Sequence, residues 1–461
     1  MKRIAIIGGG LSGLSAAYQL ARTPLVEPTL FEASPRLGGI IETLHQDGFI
    51  IECGPDSWVT EKPWARELAI ELGLESEIIL SNDHQRRTYL LQHNQLVPMP
   101  DGMRMMVPVD LSAIMDSPLF SEPARLAYQR EPVRAAELKA SALKEGEDES
   151  VASFVRRHFG DEVTRTIAAP LLAGVFGGDI DTLSVRAVMP VFVKMERDYG
   201  SLILAVQSRA HQNPNSVFTS LRPGLGTLVD RMAATLPAGC VRFSHEVTRL
   251  EHTNQGWQVS TSDSERTFDA VIVATPAHVT RQLLRPLHEQ FDHLLAMEST
   301  SAIIVAFAFL PEHAYKLTIP RGFGYLVPPT PGADSKLLAC TFVDQKFSHR
   351  VPEGGILLRA FFGGTAAQTH LNDSDNALIA LALERLSEVL GSMPAPHLAI
   401  VRRLRRSLPQ YAVGHLRRMV QLESLVASFP GLYLAGNAYY GVGLPDMIRI
   451  GREAARRAAQ S

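Results

Sequence analysis

The stretch that decides the fold is Ile4-Ala5-Ile6-Ile7-Gly8-Gly9-Gly10-Leu11-Ser12-Gly13, which is followed by the apolar segment Leu14 to Ala21 and by Thr29-Leu30-Phe31-Glu32. The β-branched run at its start predicts a strand buried on both faces, and the pattern continues as a glycine turn, a helix and a second strand. The glycines keep the G-x-G-x-x-G spacing. In such a turn they permit the tight bend, the approach of backbone to a pyrophosphate and the close packing of helix on strand.

Glu32 ends the second predicted strand, nineteen residues after Gly13. An acid at about this spacing hydrogen-bonds a ribose hydroxyl, while the helix directs its unpaired N–H groups at the phosphates. A glycine turn can also be a plain connector, with Glu32 a solvated charge. The agreement of strand, helix and acid favours a bound dinucleotide.

Composition and charge narrow the functional classes. The 461 residues carry a formal charge of -3, which argues against nucleic acid as a partner. Three separated cysteines indicate neither a disulfide framework nor a zinc site, and they fit a reducing, cytoplasmic setting. The nucleotide turn starts too early to leave room for a signal peptide, and no apolar run of about eighteen residues predicts a membrane-spanning helix.

The last part of the sequence returns to the first domain. Asp269 to Pro276 and Gly431 to Asn437 read as buried strands of the same sheet, and Pro445 to Ala459 reads as a helix. Before that helix lies Tyr439-Tyr440-Gly441-Val442-Gly443-Leu444-Pro445-Asp446, a second glycine turn. Its free N–H groups could face the far end of a dinucleotide, so both ends of the sequence would meet at one ligand.

The remaining patterns predict an α/β protein with interrupted domains. We assign residues 1–84, 211–296 and 396–461 to the nucleotide-binding domain, 85–210 to a largely helical insertion, and 297–395 to a second, mixed-sheet domain. Within the insertion, Ser153 to Leu172 reads as helical. It stops at Ala173-Gly174-Val175-Phe176-Gly177-Gly178-Asp179, which could admit a flat ligand or simply end the helix.

Two further turns and one basic segment stand out. Ala33-Ser34-Pro35-Arg36-Leu37-Gly38-Gly39 follows the acid, and Gly54-Pro55-Asp56-Ser57 could cap a helix from Lys62 to Leu72. The segment Arg402 to Arg406, with Arg417 and Arg418, reads either as a solvated face or as a contact with anionic lipid or a partner.

These motifs together resemble the flavoprotein porphyrinogen oxidases of haem synthesis, the protoporphyrinogen oxidase and coproporphyrinogen III oxidase family. The first turn and residues 32–39 are shared with the wider amine-oxidase-like FAD superfamily. The more specific markers are Gly54 to Ser57, Gly174 to Asp179 with Leu183-Ser184, Pro409-Gln410-Tyr411 and Gly441 to Asp446.

The resemblance implies an amine-oxidase-like architecture with FAD as the cofactor, a porphyrinogen as the substrate, dioxygen as the acceptor and hydrogen peroxide as the by-product. It also implies a peripheral membrane contact through the insertion, on the inner face of the cell membrane, and a partner in the next enzyme of the haem pathway. FAD supplies the redox chemistry, so we name no catalytic side chain and no metal ligand. The substrate contacts would be Arg87 and Gly174. The residues that would hold FAD are Gly8, Gly9, Gly10, Leu11, Ser12, Gly13, Glu32, Ala33, Arg36, Gly39, Gly54, Pro55, Asp56, Ser57, Val247, Val442, Gly443, Leu444, Pro445 and Asp446.

Thr88 stands where many protoporphyrinogen oxidases place an arginine against a substrate propionate, which leaves the neighbouring Arg87 as the candidate. Other hypotheses stay open. The chain could be an oxidase of the same superfamily that acts on an amine or polyene, or a binding protein that keeps this fold without using flavin. An NAD-dependent dehydrogenase would leave the second glycine turn without a role.

Overall fold

The computed structural model describes residues 1–209, 216–329 and 337–460. The strands, in chain order, are β1 (Lys2–Ile7), β2 (Val26–Glu32), β3 (Thr43–Gln46), β4 (Phe49–Glu52), β5 (Trp58–Val59), β6 (Ile78–Leu80), β7 (Thr88–Gln92), β8 (Gln95–Pro98), β9 (Met103–Arg104), β10 (Val107–Pro108), β11 (Phe218–Leu221), β12 (Val241–Phe243), β13 (Arg249–Thr253), β14 (Gly256–Ser260), β15 (Glu265–Phe268), β16 (Ala270–Val273), β17 (Ser299–Phe309), β18 (Gly324–Leu326), β19 (Ala339–Phe342), β20 (Ile356–Phe362), β21 (Leu398–Pro409) and β22 (Leu432–Leu434).

Helices lie between and around these strands. They are α1 (Leu11–Ala21), α2 (Trp64–Glu71), α3 (Ser112–Met115), α4 (Glu122–Val133), α5 (Ala135–Ala140), α6 (Val151–Val163), α7 (Ala169–Phe176), α8 (Val185–Val188), α9 (Pro190–Tyr199), α10 (Leu202–Ser208), α11 (Gly226–Ala234), α12 (Ala277–Leu284), α13 (Glu289–Leu294), α14 (Pro311–Ala314), α15 (Val343–Lys346), α16 (Gly364–His370), α17 (Asp375–Leu390), α18 (His415–Ala427) and α19 (Leu444–Gln460).

The nucleotide-binding sheet has five parallel strands in the order β12-β2-β1-β16-β22. The predicted partnership of the first strand with the strands near 270 and 432 is confirmed. In β1, Ile4 and Ile6 pack with α1 and α19 on one face, and Ala5 and Ile7 pack on the other. Both faces are covered, which explains why the strand is apolar throughout rather than alternating.

The second sheet has seven strands in the order β21-β17-β20-β19-β18-β7-β8, and β7 pairs parallel to β18. This membership moves two predicted domain boundaries. β7 and β8 belong to this sheet rather than to the insertion, and β21 belongs to it rather than to the nucleotide-binding domain. Both segments pair with strands that are distant in sequence, which local patterns do not reveal. The boundary predicted at 210–211 lies outside the described residues.

The insertion contains helices α3 to α10 around its own hydrophobic core. The predicted helical character of Ser153 to Leu172 is confirmed, and a π-helical turn at Thr164–Ala168 separates α6 from α7 within this range. Gly160 departs from helical geometry with a φ of 81°. Pro170 has no N–H to donate to the carbonyl four residues earlier, which favours a widened turn before it.

The two helices at the glycine turns, α1 and α19, cross in direct contact. A Cβ atom added to Gly451 would lie 2.1 Å from the carbonyl oxygen of Ser12, so the crossing requires glycine at this position. Leu14 and Ile448 are both fully buried in the shared core. Within the described ranges, none of the helices has both the length and the apolar character that crossing a bilayer requires.

Candidate functional site: a nucleotide cradle and an adjoining cavity

The first glycine turn has the geometry of a phosphate cradle. Gly8 has a φ of +102°, and a Cβ added to Gly13 would lie 1.9 Å from the Gly8 carbonyl oxygen, so helix and strand touch through these two residues. No described atom lies within 4 Å of the position that a Cβ of Gly10 would occupy. α1 starts directly afterwards, and no side chain caps its first N–H groups. The turn therefore presents open space and free donors, as a pyrophosphate site requires.

Glu32 connects the first turn with the loop that follows β2. One carboxylate oxygen accepts a hydrogen bond from the Gly9 N–H at 2.6 Å, and the other accepts one from the Ser34 N–H at 2.8 Å. Since a carboxylate offers about four acceptor positions, these bonds leave capacity for a ribose hydroxyl. Ala33 lies beside it and is exposed.

The loop at residues 36–41 is held by its own arginine. The Arg36 guanidinium donates to the carbonyls of Leu37, Gly39 and Ile41, at 3.2, 2.6 and 3.0 Å. Gly38 donates from its N–H to the Gly9 carbonyl, which places this loop against the first turn. Within the described structure, Arg36 therefore shapes the loop, and its direct contact with a cofactor stays a prediction.

The turn Gly54 to Ser57 does not cap a helix, because β5 follows it and α2 begins only at Trp64. Instead it binds the second sheet domain. Lys346 Nζ lies 2.9 Å and 3.1 Å from the two Asp56 carboxylate oxygens. Arg359 forms an ion pair with Asp56 at 3.3 Å and donates a hydrogen bond to the Gly54 carbonyl. Burial alone would raise the pKa of Asp56, but Lys346 and Arg359 outweigh it and hold that pKa well below its usual range.

The second glycine turn is stabilised by Asp446 and Tyr411. Asp446 is almost fully buried against Gly441 and accepts a 2.6 Å hydrogen bond from Lys62. The Tyr411 hydroxyl accepts from the Gly441 N–H at 2.9 Å and donates to the Asn437 carbonyl at 2.6 Å. α19 then begins at Leu444, with Pro445 in its first turn.

The two turns lie near each other because of the α1–α19 crossing. Gly451, which touches Ser12, lies seven residues into α19 from Leu444, roughly 10 Å along the helix axis. The N-termini of both helices therefore lie in the same region of the molecule, and their contact with one dinucleotide stays a prediction. Val442 packs against the insertion, and Val247 is buried with the opposite face of the first sheet.

A cavity of about 1010 Å³ lies between the insertion and the second sheet domain. Ala173 and Gly177 of the insertion line it, together with Val327 and Leu338 of the sheet domain. Gln410, at the end of β21, also lines it and donates from Nε2 to the Phe176 carbonyl at 2.8 Å. Its neighbour Tyr411 binds the second glycine turn, so the cavity adjoins the nucleotide cradle.

The two predicted substrate residues occupy different positions. A Cβ on Gly174 would lie 3.9 Å from Leu326, so this residue faces the second sheet where α7 crosses it. The helix ends in the ordinary way, with Gly177 at a φ of 62°. Arg87 is exposed just before β7, and its carbonyl accepts from the Phe323 N–H at 2.8 Å. It does not line the cavity, and its contact with a substrate stays a prediction.

Sequence reasoning missed Lys346, Arg350 and Arg359, which are 9%, 1% and 2% exposed. Arg359 could have been identified from the sequence, since it interrupts the apolar run of β20. An arginine in a buried strand is rare unless it is paired. No local sequence pattern indicates the role of Lys346, because its partner Asp56 is distant in sequence.

Known proteins identify the family. The family model for flavin containing amine oxidoreductases matches residues 11–459. A coproporphyrinogen III oxidase of Bacillus subtilis (strain 168) is 36% identical over 471 residues, which cover 98% of this chain and 97% of the relative. The chloroplastic protoporphyrinogen oxidase 1 of Arabidopsis thaliana is 30% identical, over 95% of this chain and 84% of its own.

A solved structure agrees in fold. A protein from Exiguobacterium sp. 255-15, named as a candidate protoporphyrinogen oxidase, superimposes with a TM-score of 0.86 at 30% identity, covering 100% of this chain and 99% of its own. The predicted architecture, a Rossmann-like domain with a second mixed sheet and a helical insertion, is confirmed. The chain belongs to the flavin-containing amine oxidoreductase family and, within it, to the porphyrinogen oxidases, and its cofactor is FAD.

Proposed function

We propose that the protein is an oxygen-dependent porphyrinogen oxidase of haem biosynthesis, which converts coproporphyrinogen III or protoporphyrinogen IX to the porphyrin. The observation that carries this proposal is the 36% identity to a relative named coproporphyrinogen III oxidase, over 98% of the chain. The match includes the insertion and the second sheet domain, whose residues line the cavity, and is not confined to the nucleotide-binding domain. Function resides in such sites rather than in the shared fold.

The reaction removes six electrons and six protons from the porphyrinogen in three rounds. Each round takes a hydride from a saturated meso carbon and a proton from the macrocycle. Three molecules of dioxygen accept them and leave as three molecules of hydrogen peroxide. When bound, FAD supplies the hydride acceptor.

The residues of the cradle fit this cofactor. The uncapped start of α1 and the open space beside Gly10 suit a pyrophosphate, and the free acceptor positions of Glu32 suit a ribose. We assign the adenine end to Val247 and the flavin end to residues 442–446. Lys346 and Arg359 fix the Gly54–Ser57 turn from the second domain, so they hold that wall of the site rigid.

The tetrapyrrole would lie between the insertion and the second sheet, with Gly174 at its edge. Gly174 has no side chain, is exposed and follows Ala173, which lines the cavity, so the edge of a flat ring can approach its backbone. We assign Arg87 to a substrate carboxylate. Arg87→Ala would then raise KM through loss of a charge-assisted hydrogen bond, and an unchanged KM for both porphyrinogens would remove Arg87 from the site.

The proposed setting is cytoplasmic, with a peripheral contact between the insertion and the inner face of the cell membrane. Val133, at 85% exposed, and Val191, at 50%, are apolar side chains on the insertion surface at which this proposed contact can be tested. The next enzyme of the haem pathway is the proposed partner, since it would receive the porphyrin.

An aerobic assay tests the proposal. Purified protein loaded with FAD is given coproporphyrinogen III or protoporphyrinogen IX, while porphyrin fluorescence and hydrogen peroxide are followed together. We expect three peroxide molecules for each porphyrin, and the ratio of kcat/KM values identifies the preferred substrate. Peroxide production with amines but with neither porphyrinogen would instead favour an amine oxidase, and a colourless protein that cannot bind FAD would favour a binding protein.

A further inference from the structure

The charged residues that line the cavity between the insertion and the second sheet differ in how far they are already paired. Arg156 donates to Asp161 at 2.6 Å and lies 3.8 Å from Asp181. Asp179 accepts from the Asp181 N–H at 2.9 Å. Among the residues that the structure describes, these groups satisfy one another.

Arg165 is different. It lines the same cavity and is exposed, yet its guanidinium makes no hydrogen bond or ion pair with the described part of the chain. Asp161 attracts Arg165 only at longer range, because that carboxylate is hydrogen-bonded to Arg156, which is the main cause of its lowered pKa, and Arg165 adds a smaller electrostatic contribution. Arg165 therefore offers five N–H donors and a permanent positive charge to whatever enters the cavity.

The helix geometry explains why Arg165 faces this way. It lies within the π-helical turn Thr164–Ala168, and π turns inside helices often occur at functional sites. Ala169, Ala173 and Gly177 follow it at intervals of four and also line the cavity. Their small side chains leave a shallow wall beside the arginine, on which a flat molecule can lie.

The sheet side of the cavity carries the opposite charge. Glu298, just before β17, is exposed and lines the cavity, and no described residue hydrogen-bonds its carboxylate. A carboxylate on a ligand would be repelled from Glu298 and attracted to Arg165. The charge distribution thus fixes which edge of a carboxylated ligand turns towards the insertion.

We infer that this cavity is a tetrapyrrole-binding site in which the Arg165 guanidinium binds a carboxylate side chain of the macrocycle. The inference rests on the proposed function, which it deepens by naming a specificity-determining residue. Arg87 cannot bind the same carboxylate, because it lies at the start of β7, beside Phe323 of the loop before β18, whereas the cavity residues Val327 and Pro328 follow the far end of β18. That separation is roughly 13 Å along the strand.

The test measures binding of the stable product, coproporphyrin III, by fluorescence titration of the FAD-loaded protein, beside its tetramethyl ester in the same low-detergent buffer. Arg165→Gln should weaken binding of the free acid about tenfold, which corresponds to about 1.4 kcal/mol, and leave binding of the ester unchanged. Arg165→Lys should restore part of the affinity. Glu298→Gln should tighten binding of the free acid, because it removes the repulsion.

Steady-state kinetics gives a second readout. Arg165→Gln should raise KM for coproporphyrinogen III with little change in kcat, whereas a merely structural loss would lower the unfolding temperature and kcat together. Arg456→Gln, an exposed arginine on α19, is the matched control and should match the wild type in every measurement.

The outcomes separate the two levels of the proposal. Wild-type affinity of Arg165→Gln for coproporphyrin III would overturn the inference, as would an equal loss for acid and ester. If the protein oxidises porphyrinogens normally while Arg165 variants bind normally, the proposed function stands and the inference fails. If the wild type oxidises neither porphyrinogen, the proposed function fails whatever the titrations show.

Discussion

Alanine substitutions at two glycines of the first turn should have different effects on stability and on FAD binding. A Cβ at Gly13 would lie 1.9 Å from the Gly8 carbonyl oxygen, whereas a Cβ at Gly10 would meet no described atom within 4 Å. Gly13→Ala should therefore force α1 away from β1 and destabilise the fold by about 1–3 kcal/mol, as overpacking does. Gly10→Ala should leave the free energy of unfolding of the apoprotein unchanged and weaken FAD binding, because its Cβ would occupy the space of the pyrophosphate.

Urea unfolding of the apoproteins and titration with FAD, followed by flavin fluorescence, check this pair. The residues are three positions apart in one turn, so each variant is the control for the other. Equal stability of the two apoproteins would contradict the packing argument. Wild-type FAD affinity in Gly10→Ala would place the pyrophosphate elsewhere.

His415 should make stability sensitive to acid. Its Nε2–H donates to the Tyr439 carbonyl at 2.8 Å, its ring stacks on Tyr411 at 4.0 Å, and burial lowers its pKa from 6.5 to about 4. Between pH 6.5 and 4 the unfolded chain therefore binds a proton that the folded chain does not. The contribution is complete above pH 6.5 and is lost as the pH falls to about 4, on the order of 3 kcal/mol.

His415→Phe keeps a ring against Tyr411 and removes the titrating group. We expect it to be less stable than the wild type at pH 7.5 by about 1 kcal/mol, because the Tyr439 carbonyl loses its donor. The difference should shrink or reverse at pH 5. Urea unfolding at both pH values measures this, and all other titrating groups are common to the two proteins. A constant difference would show that His415 does not titrate in this range.

At the scale of helices, the contact between α1 and α19 depends on one small residue. Gly451→Ala would place a Cβ 2.1 Å from the Ser12 carbonyl oxygen, and the backbone cannot move without separating the two helices. We expect a loss of about 1–3 kcal/mol in the free energy of unfolding, with weaker FAD binding because the two glycine turns move apart. Arg456→Ala, on the exposed side of α19, should be neutral. Wild-type stability of Gly451→Ala would contradict the close crossing.

The elements that could be predicted from the sequence are those with a local signal. β1 and α1 follow from the glycine spacing, and β16 and β22 follow from short apolar runs that end in turn residues. Periodicity also predicts the helical segment through residue 172, but it does not reveal the π turn within it. The apolar positions continue through that turn, while Gly160 and Pro170 disturb the regular geometry.

The basic segment at Arg402 to Arg406 shows a different limit. It forms part of β21 on the edge of the second sheet, where Arg402 pairs with Glu42 and Arg403 with Asp375. Charged side chains are common on edge strands, because they discourage pairing with another chain. Neither a fully solvated face nor a lipid contact describes these two residues. Their partners lie far away in sequence, so no local pattern could identify them.

At the scale of the whole molecule, a buried ion cluster joins the nucleotide-binding domain to the second sheet. The side chain of Asp56, which belongs to the nucleotide-binding domain, is 13% exposed and pairs with the buried side chains of Lys346 and Arg359. Asp56→Asn should cost about 3–5 kcal/mol of stability, because it leaves two cations buried without their counter-ion. Lys346→Met should cost less, since Arg359 continues to pair with Asp56.

Double-mutant analysis by urea unfolding checks the coupling. The two substitutions combined should cost less than the sum of their single effects, and strict additivity would contradict a shared cluster. The pKa of Asp56 is held well below its usual range, so its contribution should be present at neutral pH and disappear only below about pH 3.8. A loss already at pH 6 would implicate another group.

The order of the strands in the first sheet constrains how the protein can be made. β1 lies between β2 and β16, and the sheet is completed by β22 and α19, which are synthesised long after β1 and α1. At a synthesis rate of about 5–20 residues per second, the apolar face of α1 stays uncovered for roughly 20 to 90 s before α19 is synthesised. We therefore expect nascent chains to need chaperones, and the coenzyme to be inserted only after α19 has been synthesised.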